Sequence, residues 1–192
     1  NDQLGDMYRT QLKKSGVIDQ LVTKDGATTG TSIILLTPDK ERTMNTYLGA
    51  NRLYSEDDVI EKSVEEADLF YFTGYMWDTE TQQKSVMKAL EICKRMGKKI
   101  AFDVADPFAV GRYRQTFHNI ISQYCDIVFA NSEEARFLMD NYDPYECCKS
   151  LGKLCPIAIV KNGKKGSFIS ENKVITQIST YGEATPVDTT GA

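Results

Sequence analysis

Between residues 55 and 160 the sequence alternates short apolar runs with longer segments of helical spacing. The apolar runs cover 68–73, 99–104, 127–130 and 157–160, and the helical segments cover 82–96, 110–123, 132–140 and 144–151. Strands that are apolar on both faces belong in a parallel sheet covered by helices. Repeated strand–helix units predict an α/β fold, a three-layer Rossmann-like parallel sheet with helices on both faces.

Residues 31–48 depart from this pattern and predict a β-hairpin. Two strands, starting near Thr31 and Thr43, flank the turn-forming residues Thr37, Pro38 and Asp39. One face of this strand pair is polar, so we expect it to be half-buried. We therefore divide the chain into an α/β core (1–30 and 52–192) and a small β lid (31–51).

Composition excludes several classes of partner and site. The chain has 23 Lys and Arg against 27 Asp and Glu, a net charge of −4, which argues against nucleic-acid binding. No apolar run reaches the ~18 residues that a membrane span needs. The single histidine, His118, disfavours catalytic triads and histidine-rich metal sites.

The cysteines and the two ends suggest where and in what form the protein occurs. Five cysteines without CxxC spacing are typical of reduced thiols, and the polar opening residues do not resemble a signal peptide. We expect a cytoplasmic protein. The helical opening without Met and the stop after Ala192 lead us to expect a piece of a longer polypeptide.

In a parallel sheet, ligands bind beyond the carboxyl ends of the strands. Asn131 and Glu134 follow one such strand, three residues apart at the start of a helix. An amide and a carboxylate so placed suit a hydrated Mg²⁺ that carries nucleotide phosphates. The alternative is a helix start that Ser132 caps.

A glycine loop and the last residues are two further candidates. Gly163 and Gly166, in the loop that begins at Lys161, allow positive φ and close approach of a ligand; a plain glycine turn is the alternative. If a helix starts near Gly191, its free N–H groups form an anion site. The alternative there is a cap made by Asp188 or Thr189.

Two aspartates, Asp103 and Asp106, stand on either side of a strand end. Their carboxylates are placed to bind substrate hydroxyls. A turn formed at Asp106 and Pro107 explains the same residues equally well.

Together these segments resemble the ribokinase (PfkB) family of carbohydrate and nucleoside kinases, in order along nearly the whole chain. The segments that carry the resemblance are D-x-x-G at Asp2–Gly5, T-G at Thr29–Gly30, G-A-N at Gly49–Asn51, N-x-x-E at Asn131–Glu134, G-x-x-G at Gly163–Gly166, and D-T-x-G-A at 188–192. Each motif is weak alone, but their order makes the assignment strong.

The resemblance implies transfer of the ATP γ-phosphoryl group to a primary sugar hydroxyl, with ATP and Mg²⁺ as cofactors. By position in the motifs, the implied roles are an anion hole at Gly191 and Ala192, Mg²⁺ and phosphate binding by Asn131 and Glu134 with Mg²⁺ held through water, nucleotide binding by Lys161, Gly163 and Gly166, and a possible K⁺ site at Asp188 and Thr190.

Two departures from the family pattern concern the nucleotide and the catalytic base. Lys161 stands where the family has a threonine, and a lysine instead offers a point charge to phosphate. The family's catalytic aspartate falls two residues after Ala192. We therefore expect the chain as given to be inactive, and its parent protein to be the enzyme.

The substrate follows from a closer resemblance to bacterial adenosine kinases, in residues 42–50 and 74–78. It implies substrate contacts by Asn45, Tyr47, Gly74 and Asp106, and phosphorylation of adenosine or a related ribonucleoside. The alternatives are a ribose or fructose kinase and a non-catalytic nucleotide- or sugar-binding regulator. Lids of this family often pair between subunits, so we also expect a homodimer.

Overall fold

The structure, a computed structural model, describes residues 2–38 and 42–182. The helices are α1 (Gln3–Lys14), α2 (Glu61–Glu66), α3 (Glu80–Met96), α4 (Pro107–Tyr124), α5 (Ser132–Met139) and α6 (Pro144–Leu151). The strands are β1 (Thr31–Leu36), β2 (Arg42–Tyr47), β3 (Leu69–Thr73), β4 (Lys99–Asp103), β5 (Ile127–Asn131), β6 (Ile157–Lys161), β7 (Ser167–Glu171) and β8 (Val174–Ile178).

A six-stranded sheet in the order β3-β4-β5-β6-β7-β8 forms the centre of the molecule. The strands β3 to β6 are parallel, whereas β7 and β8 are antiparallel to their neighbours. Helices connect the parallel strands, as each parallel connection requires. The predicted α/β class with a mostly parallel sheet is confirmed.

The two faces of this sheet are buried to different extents. The pairing register and the alternation of side chains place Phe72, Phe102, Val128 and Val160 on one face, where all four are buried. Right-handed connections between strands that follow in chain order place their helices on one face. Of the two predicted helical layers, the described residues supply the one that covers this buried face. On the opposite face Tyr71 is 53% exposed.

The predicted hairpin is present as a separate two-stranded sheet. β1 and β2 pair antiparallel from Thr31 opposite Tyr47 to Leu36 opposite Arg42. Every residue of both strands is exposed, so the expectation of a half-buried strand pair was wrong. The reason is that no second layer covers the hairpin among the described residues. β1 and β2 pair only with each other, and their apolar side chains face solvent.

Local sequence signals explain where the long helices begin and end. Thr79 and Gln82 form a reciprocal capping box at the start of α3, and Gly97 ends that helix with φ +64°. Asp106 caps α4, with Pro107 at its first position. After Ser55 the chain forms a single 3-10 turn, Glu56–Asp58, followed by the short α2.

The structure also bears on two expectations from composition. All five cysteines are free and buried, and burial raises the pKa of the Cys147 and Cys155 thiols to about 11, so they stay protonated. None of the helices in the described ranges combines the length and apolar character that crossing a bilayer requires.

Asp2 connects α1 to the segment that enters the hairpin. Its carboxylate accepts hydrogen bonds from the backbone N–H of Gly5 (2.9 Å) and of Thr29 (2.6 Å) and from the Thr29 hydroxyl (2.8 Å). A Cβ on Gly5 would lie 2.9 Å from that hydroxyl oxygen, which is too close. This packing gives the D-x-x-G motif a structural reason.

The hydrogen bonds of Asp2 predict a loss of stability in acid. The Thr29 N–H, then the Gly5 N–H and the Thr29 hydroxyl, lower the pKa of Asp2 from 3.8 to about 2. Because the folded-state pKa is depressed, this contribution is fully present above pH 3.8 and disappears as the pH falls through 2. We expect Asp2→Asn to lower stability at neutral pH and to flatten the acid side of the pH–stability curve.

Urea unfolding of the purified protein from about pH 7 to about pH 2 measures this effect. Asp6→Asn is the matched control, because Asp6 is an exposed carboxylate in the first turn of the same helix. Parallel curves for the wild type and Asp2→Asn across this range would contradict the assignment.

Candidate functional site

Asn131 and Glu134 form a closed set of hydrogen bonds at the junction of β5 and α5. The Asn131 side-chain oxygen accepts from the Glu134 N–H at 2.9 Å, while the Glu134 carboxylate accepts from the Asn131 N–H (2.7 Å) and side-chain amide (2.6 Å). Asn131 therefore caps α5, and the suggestion that Ser132 is the cap was wrong. The capping box fixes the Glu134 carboxylate at the carboxyl end of the sheet.

Glu134 is a nearly buried carboxylate, 4% exposed, with two acids nearby. Burial raises its pKa, the hydrogen bond from the Asn131 backbone lowers it, and the charges of Asp103 and Asp106 raise it further; the net shift is upward. Lys161 acts in the opposite direction. The site thus favours a cation near Glu134, either an ammonium or a hydrated metal ion.

Lys161 and Asp103 reach toward each other across β5. Lys161 ends β6 and Asp103 ends β4, and the Lys161 Nζ lies 3.7 Å from the Asp103 Oδ2. The other carboxylate oxygen of Asp103 accepts the Ala105 N–H at 3.0 Å. Ala105 has φ +68°, a left-handed conformation that is uncommon for alanine. The Lys161 ammonium thus reaches across β5 to the end of β4.

Asp106 has a defined structural role. Its Oδ1 accepts the N–H groups of Phe108 (2.6 Å) and Ala109 (3.1 Å), so Asp106 caps α4. Its charge also acts on Glu134. These contacts form a helix cap in place of the predicted turn, and the substrate contact of Asp106 stays a prediction.

The loop after Lys161 requires glycine at two positions for different reasons. Gly163 has φ +55° and open space where a Cβ would be, so a ligand can approach its backbone. Gly166 has φ +86° and ψ −140°, and a Cβ there would overlap the carbonyl oxygen of Ile178. Both predictions of positive φ are confirmed. Nucleotide binding by these glycines stays a prediction.

The other predicted site residues lie at the end of β3 and on the hairpin. Gly74, after β3, is buried so close to the Val104 carbonyl that a Cβ would overlap it. Asn45 and Tyr47 lie on β2, opposite Ile33 and Thr31 of β1. Their substrate contacts stay predictions. The predictions for Asp188, Thr190, Gly191 and Ala192 lie outside the described residues.

Two tyrosines that were not predicted as site residues lie among these acids. Burial, and then the charge of Asp103, raise the pKa of Tyr71. Burial, and then the charges of Asp106, Glu134 and Asp103, raise the pKa of Tyr75. The available signal was their position, because both lie near the carboxyl end of β3.

Among residues 2–38 and 42–182, no three His, Cys, Asp or Glu side chains are grouped to hold a metal ion. Mg²⁺ does not need such a group, since it keeps several waters and takes one or two carboxylates together with substrate phosphates. Glu134, with Asp103 and Asp106 nearby, fits a hydrated Mg²⁺ of that kind. A tightly coordinated structural metal does not fit these residues.

A mostly parallel sheet with polar side chains at its carboxyl end, together with a separate β-hairpin, defines this chain as an α/β protein of the ribokinase-like fold. The family of pfkB carbohydrate kinases matches residues 1–192, the whole of the chain. The chain belongs to this family.

Individual relatives include kinases of both nucleosides and sugars. The structure of adenosine kinase from Sinorhizobium meliloti is 32% identical with a TM-score of 0.92, covering 98% of this chain and 58% of that one. A probable sugar kinase from Rhizobium etli CFN 42 is 33% identical with a TM-score of 0.92 and the same coverage. Probable fructokinase-3 of Arabidopsis thaliana is 27% identical over all of this chain, which spans 58% of its length.

Proposed function

We propose that the full-length protein is an ATP-dependent kinase that transfers the γ-phosphoryl group to a primary hydroxyl of a ribonucleoside, most readily adenosine. The observation that carries this proposal is the convergence of Asn131, Glu134 and Lys161 at the carboxyl ends of β5 and β6. An amide, a buried carboxylate and a basic glycine loop are the groups that hold a metal-bound polyphosphate.

Each group in the cluster has a proposed role toward the nucleotide. Glu134 holds Mg²⁺ through water, and Asn131 fixes the Glu134 carboxylate in place. Bound there, Mg²⁺ would neutralise part of the negative charge on the phosphates. Lys161 offers its ammonium to a phosphate, while the backbone at Gly163 and Gly166 lies beside the nucleotide.

The last residues complete the proposed machinery. Gly191 and Ala192 form the anion hole for the transferring phosphoryl group, and Asp188 and Thr190 bind K⁺. We propose that the catalytic base is an aspartate two residues after Ala192. Replacing K⁺ with a bulky organic cation in the assay tests the K⁺ proposal, since unchanged activity would contradict it.

On the acceptor side, we propose that residues 31–51 act as a lid over a core formed by residues 1–30 and 52–192. Asn45 and Tyr47 on β2, with Gly74 and Asp106 at the edge of the core, contact the acceptor. Closure of the lid excludes water, which would otherwise compete with the acceptor hydroxyl for the phosphoryl group.

The preference for adenosine rests on the resemblance of residues 42–50 and 74–78 to adenosine kinases and is compatible with the 32% identity to one such kinase, while a probable sugar kinase is 33% identical. A screen of adenosine, other ribonucleosides, ribose and fructose with ATP and Mg²⁺, followed by ADP release, tests it. We expect kcat/KM for adenosine to exceed that for either sugar by about tenfold or more, because buried polar groups left unpaired penalise the wrong acceptor. Chelation of Mg²⁺ should abolish activity.

The same screen decides between the alternatives. Fructose or ribose turning over fastest would reject the nucleoside assignment and keep the family, as the fructokinase relative suggests. Binding of nucleotide or sugar without phosphoryl transfer by the full-length protein would support a non-catalytic regulator, which the replacement of threonine by Lys161 also favours.

Partners and location complete the proposal. The partner is a small nucleoside or sugar, with neither nucleic acid nor a membrane involved, and the protein acts in the cytoplasm. The exposed apolar side chains of the hairpin, among them Ile33, Leu35 and Met44, support a homodimer through the lid. The molar mass in solution by light scattering tests this, and a monomer at working concentration would contradict it.

A further inference from the structure

The Lys161–Asp103 ion pair lies at the carboxyl ends of β6 and β4, beside the proposed nucleotide site. Asp103 pairs with Phe129, and Lys161 pairs with Asn131 two residues further along β5. Side chains alternate along strands, so Asp103, Phe129, Asn131 and Lys161 share one face of the sheet. The Lys161 ammonium therefore lies over β5, on the same face as the residue that caps α5.

This pair contributes little to the stability of the fold. The Lys161 side chain is 52% exposed and the Asp103 side chain 20% exposed, and ion pairs at such positions are screened by water and salt. Asp103 also has another partner, the Ala105 N–H, which donates to its Oδ1 at 3.0 Å. Loss of Lys161 would therefore leave Asp103 hydrogen-bonded.

The surrounding charges make Lys161 important for an anionic ligand. The negative charges of Asp103 and Asp106 raise the pKa of Glu134, whereas the positive charge of Lys161 lowers it. A polyphosphate that enters here meets repulsion from the carboxylates and attraction from Lys161. Asp103, which is already in contact with the ammonium, competes with the polyphosphate for the same positive charge.

We propose that Asp103 is a positioning residue that holds the Lys161 ammonium over β5 until a nucleotide phosphate displaces the carboxylate and takes the ammonium. This inference rests on the proposed function, because it assumes that polyphosphate binds at this end of the sheet. The contribution of Lys161 to nucleotide affinity is then the free energy of its contact with phosphate minus that of its contact with Asp103. Asp103 lowers that affinity in the wild type.

A double-mutant cycle tests the coupling in the full-length protein. The variants are Asp103→Asn, Lys161→Gln and the double variant, with Lys153→Gln as the charge-matched control. Lys153 is exposed, in the turn that precedes the opposite end of β6. Calorimetric titration with inorganic tripolyphosphate and with ATP gives the dissociation constants, and urea unfolding confirms that each variant is folded. The asparagine of the Asp103→Asn variant would keep an oxygen that accepts the Ala105 N–H.

We expect Asp103→Asn to tighten tripolyphosphate binding about 1.4- to fivefold in the wild-type background, the range that measurements on exposed ion pairs correspond to. Lys161→Gln should weaken binding, and in that background the gain from Asp103→Asn should shrink, because only the repulsion remains to be relieved. Lys153→Gln should leave binding unchanged. ATP should follow the same pattern as tripolyphosphate, since the phosphates are what the two ligands share.

The inference is overturned if Asp103→Asn changes affinity by the same factor with and without Lys161, or if it weakens binding in the wild type. Both results would leave the proposed function intact, because the wild-type protein would still bind ATP. Failure of the wild-type protein to bind either ligand would instead reject the proposed function, and this inference with it.

Discussion

Glu134→Gln is expected to lower kcat by about 10²-fold, the usual cost of removing one electrostatic contact at a phosphoryl- or acyl-transfer centre. The Glu134 carboxylate is almost fully buried beside Asp103 and Asp106, and the capping box holds it in place. A glutamine has nearly the same shape without the charge, so it cannot hold a hydrated Mg²⁺ in the same way. Steady-state assays of the full-length protein at saturating ATP and acceptor measure the change.

A structural effect of this substitution must be separated from the chemical one. The glutamine NH₂ would face the Asn131 side-chain amide, so part of the cap is lost, at a cost of about 1 kcal/mol. Because proteins of this kind are stable by about 5–15 kcal/mol, the variant should stay folded in the assay. Glu133→Gln is the matched control, since Glu133 is an exposed neighbour that pairs with Arg136. Equal kcat values for both variants and the wild type would remove Glu134 from the mechanism.

Gly166→Ala is expected to destabilise the fold by about 3 kcal/mol or more, the largest effect on stability among our predictions. Gly166 occupies a region of φ and ψ that is essentially restricted to glycine, which alone costs another residue about 1–3 kcal/mol. The added Cβ would also overlap the Ile178 carbonyl oxygen, and overpacking against backbone costs about 1–3 kcal/mol more. Urea unfolding gives the free-energy difference, and the soluble yield reports on a variant that does not fold.

Gly163→Ala is the companion variant in the same loop. Its φ of +55° is left-handed, but a Cβ would meet open space. The expected cost is therefore about 1 kcal/mol, from the backbone alone. Similar losses at both positions would show that the contact with Ile178 does not constrain Gly166.

Most of the elements were predictable because their signals are local. Asp106, Pro107 and Gly97 mark helix ends through their own backbone and side-chain preferences. The buried strands are short apolar runs that polar residues follow, and each appears within a residue or two of its predicted bounds. The presence of Asn131 and Glu134 at a helix start followed from the same kind of signal.

The arrangement of the site depends on information that no local pattern contains. Asp103 and Lys161 are far apart in the chain, and they meet only because β4 and β6 lie on either side of β5. Strand order and side-chain reach decide this contact, and neither can be obtained from spacing. The same limit explains why the exposure of the hairpin was misjudged: a polar face along β1 and β2 does not reveal whether a second layer covers the other face.

Exposure of the hairpin has a consequence for how the molecule opens. A segment that buries no side chain and is held by one pair of strands can separate from its surroundings at a small fraction of the free energy of global unfolding. β5, with a paired strand on each side and its buried residues under helices, opens only with the whole fold. Local rearrangement thus requires little free energy in the hairpin and much at Asn131. The hairpin can therefore adapt to a ligand while the residues around Asn131 keep their geometry.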